Sequence, residues 1–171
     1  KNPLNLLEAF KLLSEDHSPD IRLTFVGDGS LRADLAKRVI ELNLQSKVNL
    51  KGYLDEPEKV IASCDLYVQP SLSEGFGIAL VEAMGVGVPV LATKTGGVPE
   101  FVYHGDNGWL LSGTSVDSIH KSIRVILDIP KNTRDEVAKR GTESVINRFS
   151  SVMYFEQLDK LYEKHIPEQL K

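Results

Sequence analysis

Two carboxylates, Glu74 and Glu82, have seven residues between them and enclose Gly75-Phe76-Gly77, after which Ile78 to Val86 carries a helical pattern. Glycines just before a helix let the backbone come within contact distance of a ligand, since no Cβ stands in the way. The first amides of a helix have no intrahelical acceptor, so those of Gly77, Ile78 and Ala79 form a ready anion site reinforced by the helix dipole. A phosphate fits there, with Glu74 ahead of it and Glu82 about one turn inside the helix. Each carboxylate can accept from hydroxyl groups, so the combination points to a ligand carrying both phosphate and hydroxyls. The helix is apolar nearly all round, which predicts burial, and a carboxylate in a buried helix must be partnered or neutralised. The residues alone leave a second reading open: Glu74 caps its own helix or meets a surface lysine, and Glu82 is a core acid satisfied by protein donors.

A second glycine loop, Gly27-Asp28-Gly29-Ser30-Leu31-Arg32, follows a β-rich run and invites a dinucleotide reading. That fingerprint requires glycine or alanine where Arg32 stands and an acid about twenty residues on, where Asn49, Leu50 and Lys51 stand. It fails at both points. What remains is either a strand-to-helix turn capped by Asp28 or Ser30, or a contact to a nucleobase. His17, His104, His120 and His165 are scattered without metal-ligand spacing and are expected in solvated or capping roles. Cys64, the sole cysteine, excludes an internal disulfide, fits a reducing compartment and is expected as a small core residue. No Walker loop, zinc-protease motif or nucleophile elbow occurs.

The elements that must position these residues alternate. Helical spacing over 5–13 ends in a loop at Pro19 and Asp20. Strands are expected at 21–26, 47–51, 66–70, 89–93 and 108–111, and helices at 31–44, 56–63 and 78–86, with a short helix at 99–103 that has Pro99 in its first turn. Beyond Ser115 the pattern is wholly helical, with Ile119, Ile123, Ile126 and Leu127 on one face and Val137, Val145 and Ile146 on another, and a final helix over 149–165. Strands alternating with helices mean an α/β fold whose parallel sheet is covered on both faces. Ligands of such folds sit at the carboxyl ends of the strands, which singles out loops 27–30, 52–55, 71–77 and 93–97.

Composition narrows the classes further. A length of 171 residues with 42% hydrophobic content suits one domain. The 20 basic and 24 acidic residues are intermixed at a net charge of -4, which leaves no basic face for a nucleic acid. The most apolar stretch, 77–92, is interrupted by Glu82 and Pro89 and falls short of the roughly 18 residues a membrane span needs. No signal peptide is visible. The chain opens on Lys1-Asn2-Pro3 and its first element is already helical, so a larger parent is expected to precede it.

The run Gln69-Pro70-Ser71-Leu72-Ser73-Glu74-Gly75-Phe76-Gly77, together with Glu82, resembles the donor-binding domain of glycosyltransferase family 4, the retaining group 1 enzymes that pair two facing Rossmann-like domains in the GT-B fold. Val26-Gly27-Asp28-Gly29 and Gly52-Tyr53-Leu54 precede this run in the family's order. Gly85-x-Gly87-Val88-Pro89-Val90, Gly96-Gly97-x-Pro99-Glu100 and Gly105-x-Asn107-Gly108 follow it, so the resemblance covers nearly the whole chain. It implies a Rossmann-like three-layer parallel sheet with helices on both faces and a helical C-terminal extension. Residues 1–171 would then be a nucleotide-sugar (donor) binding domain truncated at its N-terminus, with the acceptor-binding domain absent.

The same resemblance assigns roles. Glu82 would bind ribose hydroxyls and Glu74 would lie beside the transferred sugar. Main-chain groups of Gly75, Phe76, Gly77, Ile78 and Ala79 would meet the sugar and diphosphate, and the loops at Gly27, Gly29, Tyr53 and Leu54 would face the nucleobase. Lys1 stands where the family places a lysine that holds the diphosphate. The implied reaction moves a hexose-type sugar to a saccharide or lipid-linked acceptor with retention, needs no protein nucleophile, and uses Lys1 and the helix amides to stabilise the leaving diphosphate. No cofactor or metal is expected. The expected partners are a nucleotide sugar and, through the absent domain, an acceptor glycan or glycolipid. The implied location is cytoplasmic, peripheral to the inner face of any membrane touched, with that contact outside this segment, and the segment alone is expected to be inactive. A flavodoxin-type nucleotide module would leave the paired glutamates unexplained. A non-catalytic descendant of a transferase would more readily have lost Glu74, Glu82 or Lys1.

Overall fold

The computed structural model describes residues 1–16 and 21–165. The loop expected at Pro19 and Asp20, His17, and the side chain of His165 lie outside the described residues. Pro3 brings a φ suited to a first helical turn, and α1 (Pro3–Glu15) buries Leu6, Leu7, Ala9, Phe10 and Leu13 along one stripe. Five short strands follow: β1 (Leu23–Phe25), β2 (Val48–Leu50), β3 (Tyr67–Gln69), β4 (Val90–Thr93) and β5 (Trp109–Leu111). Between them run α2 (Arg32–Glu41), α3 (Pro57–Ile61), α4 (Ile78–Gly85) and a 3-10 turn, Val98–Glu100, where the spacing had predicted a short helix. Pro99 occupies its first turn as expected.

All strand pairs are parallel, in two hydrogen-bonded sets, β1-β2 and β3-β4-β5. The register sets Phe25 beside Leu50, Gln69 beside Ala92 and Thr93 beside Leu111, so the carboxyl ends of the strands within each set open in one direction. Alternation along β4 sends Val90 and Ala92 into a core under α4 and Leu91 into a core under α1 and the helix that follows β5. Leu23 and Phe25 of β1 pack against the same cluster as Val68 of β3 and Leu66 just before it, so the two sets share one interior. Helices therefore cover both faces of parallel sheets.

The helical tail begins at Ser115, whose side chain accepts from the Ser118 amide at 3.2 Å and caps α5 (Val116–Asp128). After Pro130 comes α6 (Lys131–Phe149), then α7 (Ser151–His165), so Phe149 closes one helix and does not open the next. The buried stripe of α6 is Val137, Ala138, Gly141 and Val145. Ile146, expected beside Val145, is 53% exposed, because one residue further on is about 100° round the helix. Cys64 also departs from expectation. It is half-buried in the turn after the short α3, its thiol donates to the Val60 carbonyl at 3.3 Å, and burial pushes its pKa up.

Candidate functional site

The loops at the carboxyl ends of the strands are tied in pairs. The Gly27 amide donates to the Gly52 carbonyl at 2.7 Å, joining the turns after β1 and β2. The Gly97 amide donates to the Gly75 carbonyl at 2.8 Å, joining the turns after β3 and β4. Gly96 has a φ of +55°, and a Cβ built there would lie 1.7 Å from the Glu74 carbonyl oxygen. Only glycine fits, and the turn after β4 is the wall against which the Glu74-Gly75 backbone rests.

Gly77, with a φ of +96°, turns the chain into α4. Among the described residues, the amides of Gly77, Ile78 and Ala79 have no acceptor, whereas the Leu80 amide already bonds to the Gly77 carbonyl at 2.9 Å. Neither Glu74 nor any other side chain caps this helix. The expectation that α4 is buried all round is corrected: Leu80, Ala83 and Met84 face the core, while Ile78, Ala79, Glu82, Gly85 and Val86 are exposed. Apolar periodicity reports a face that avoids water without saying what covers it. Glu82 is thus exposed on the open stripe and its carboxylate has no hydrogen bond or ion pair with a described residue, so it is no satisfied core acid.

Glu74 is held differently. Its side chain is 10% exposed, and Oε2 accepts from the Lys1 ammonium at 2.5 Å and from Gln69 Nε2 at 3.0 Å. Burial alone would push this carboxyl up. The hydrogen bond from Lys1, the nearby Ser71 hydroxyl and the Lys1 charge together outweigh it and hold the pKa below its usual value. The buried Ser71 hydroxyl falls short of hydrogen-bonding geometry, yet lies near enough to favour the charged form. Tyr67, two residues before Gln69 on the same strand face, donates to Gln69 Oε1 at 3.0 Å. Burial first, and then the Glu74 and Glu82 carboxylates, push the Tyr67 hydroxyl up to about 12.

Of the residues singled out by sequence, the fold brings Lys1 to Glu74 across 73 positions and sets Gly75 to Ala79 and Glu82 along one helix end. The Gly27, Gly29, Tyr53 and Leu54 loops form a second group; Tyr53 is 75% exposed and Leu54 half-buried. Asp28 does not cap α2, whose N-cap is Leu31 without a side-chain bond, and neither does Ser30. The Asp28 carboxylate accepts from the Gly29 amide at 2.8 Å and from Arg32 at 2.9 Å, which lower its pKa in that order. Phe76 packs its ring against Phe101 and Phe149, with centroids 5.3 and 5.1 Å away, and so anchors the loop through its side chain. His104 accepts from the Leu110 amide and His120 pairs with Asp16, both away from this site. Tyr67 was not singled out by sequence, and Gln69 stood only at the head of the run that carries the resemblance, with no role of its own; the signal for both was a polar pair at period two in a strand otherwise apolar.

Residues 1–144 match the glycosyl transferases group 1, and the chain belongs to that family. Its parallel α/β architecture is that of a Rossmann-like domain of the GT-B kind. N-acetyl-alpha-D-glucosaminyl L-malate synthase of Bacillus anthracis is 31% identical over 95% of this chain, which spans 42% of that protein. The UDP-Gal:alpha-D-GlcNAc-diphosphoundecaprenol alpha-1,3-galactosyltransferase of Escherichia coli is 30% identical over 95% of the chain, again 42% of the relative. The crystal structure of Anabaena Alr3699/HepE in complex with UDP and glucose superposes with a TM-score of 0.82 at 26% identity, covering 93% of this chain and 44% of that one. The chain thus spans less than half the length of these relatives. Among the described residues, no helix is long and apolar enough to cross a membrane.

Proposed function

We propose that this chain forms the nucleotide-sugar donor site of a retaining family 4 glycosyltransferase, which moves a hexose-type sugar to a saccharide or lipid-linked acceptor held by a further domain. The observation that carries the reading is one helix end, exposed at Ile78 and Ala79, where the amides of Gly77, Ile78 and Ala79 without an acceptor lie between the Lys1-Glu74 pair and the unpartnered Glu82 carboxylate. The Anabaena relative crystallised with UDP and glucose supports it. Glu82, about 6 Å along the helix axis from Ile78, accepts from the ribose hydroxyls. The amides and Lys1 receive the diphosphate, and each such donor aimed at charge that develops as the sugar departs is worth about 2 to 4 kcal/mol of barrier. Glu74 lies beside the sugar, and the acceptor hydroxyl attacks the face the diphosphate leaves. No metal or cofactor enters this scheme, and its setting is cytoplasmic, with any contact to the inner face of a membrane made outside this segment.

Calorimetric titration of the complete polypeptide with UDP, GDP and ADP tests the donor site. Binding of one of them at micromolar level is expected, and no binding below about millimolar refutes the reading. Glu82→Ala is expected to lose about 1.5 to 3 kcal/mol of nucleotide affinity, tenfold or more in Kd, at unchanged thermal stability. Unchanged affinity in the folded variant removes Glu82 from the ribose site.

A further inference from the structure

Three polar side chains are buried among the described residues: Gln69, Ser71 and Asn107. Asn107 serves mainly the backbone, donating to the Phe101 carbonyl and accepting from the Tyr103 amide, and it also donates to the neighbouring Ser144 hydroxyl at 3.3 Å. Gln69, only 6% exposed, instead binds a carboxylate assigned to the chemistry. An ionised carboxylate only accepts, so the Gln69 amide must turn its NH2 to Glu74, which leaves its oxygen for the Tyr67 hydroxyl. The raised Tyr67 pKa keeps that hydroxyl protonated and able to donate.

Both donors on Glu74 use Oε2, and Oε1 carries no hydrogen bond to a described residue. The two donors differ in kind. Lys1 is 66% exposed and is also the cation that the proposed function assigns to the diphosphate. Gln69 sits beneath the loop, out of water, with no other ligand to serve. Its amide nitrogen and the Glu74 side chain also flank Gly77, each 3.6 Å from where a Cβ would stand. We propose that Gln69 is a positioning residue: it holds Glu74 Oε2 so that Oε1 faces the donor sugar once Lys1 has turned to the diphosphate, and Tyr67 locks its amide in the working orientation. The inference rests on the donor-site reading given above.

The test uses the complete polypeptide and three variants. In Gln69→Met the amide donor is lost at similar volume; kcat is expected to fall on the order of 10- to 100-fold, as for a misplaced catalytic group, while the Kd for UDP changes less than about threefold, because the amides and Glu82 are untouched. Tyr67→Phe is expected to lower kcat less, again without weakening UDP. Gln69→Glu keeps the shape. Its carboxyl donates to Glu74 only when protonated, so the ratio of variant to wild-type kcat is expected to rise as pH falls. A ratio independent of pH, an unchanged kcat in a folded Gln69→Met, or a loss of UDP affinity equal to the loss in kcat overturns the proposal. Carboxyl carbon-13 titration of Glu74, assigned with Glu74→Gln, reads the contact without turnover: the midpoint is expected to rise in Gln69→Met, and an unmoved midpoint overturns the inference. Absence of transfer from every donor by the wild type would instead strike the functional reading, and the titration would still decide on Gln69.

Discussion

Replacing Gly96 with alanine loads the site from behind. At a φ of +55° an alanine costs about 1 to 2 kcal/mol relative to its preferred conformations. Its Cβ would lie 1.7 Å from the Glu74 carbonyl oxygen and 2.8 Å from that of Gly75, against an ordinary contact of about 3.5 Å. The two turns must therefore part by roughly 1.5 to 2 Å. That movement breaks the Gly97 to Gly75 hydrogen bond, a further loss of about 0.5 to 1.5 kcal/mol. Together Gly96→Ala is expected to destabilise the chain by about 1.5 to 3.5 kcal/mol and to lower Tm by roughly 3 to 14 °C. Displacement of Glu74 by more than 1 Å is expected to lower kcat on the order of 100-fold. Urea denaturation and donor turnover measure both effects. Gly75→Ala serves as the comparison for stability alone, since its Cβ would meet no protein atom within 4 Å and its φ is not left-handed. Wild-type stability and turnover in Gly96→Ala would refute the reasoning.

Three further outcomes are expected. In alkaline absorbance titration Tyr67 is expected to titrate near pH 12; its contribution to stability is complete below its ordinary value of 10 and is lost as pH rises through about 12. Tyr67→Phe removes that late step, and an unchanged curve rejects the assignment. The lowered Glu74 pKa means that its stabilising contribution is present above the ordinary carboxyl value of 4.5 and fades as pH falls through the lowered one. Glu74→Gln should therefore flatten the acid limb of unfolding free energy against pH, and parallel limbs would contradict the Lys1 pairing. Asn107→Ala leaves the Phe101 carbonyl and the Tyr103 amide unpartnered in a residue environment only 3% exposed, which costs about 2 to 4 kcal/mol in urea denaturation; a loss below about 0.5 kcal/mol would show that water or the neighbouring Ser144 satisfies them.

The order of strands and helices, the helix end at Gly77 and the candidacy of Glu74 and Glu82 were legible in the sequence, because each depends on neighbours within one or two turns. Period two and period 3.6 are local properties, and a glycine pair before an apolar helix exposes amides wherever the helix later packs. The resemblance added the placing of Lys1, which no local pattern could join to Glu74 across 73 positions. The tertiary structure alone decided which side of α4 the core covers, and it thereby moved Glu82 from a presumed interior to the open face. It also set Gly96 against the Glu74 carbonyl and Gln69 beneath the Glu74 carboxylate. Those contacts depend on how separate strands and turns are stacked. A sequence states that a side chain is polar or apolar, while its partner is chosen by the path of the chain that brings it there.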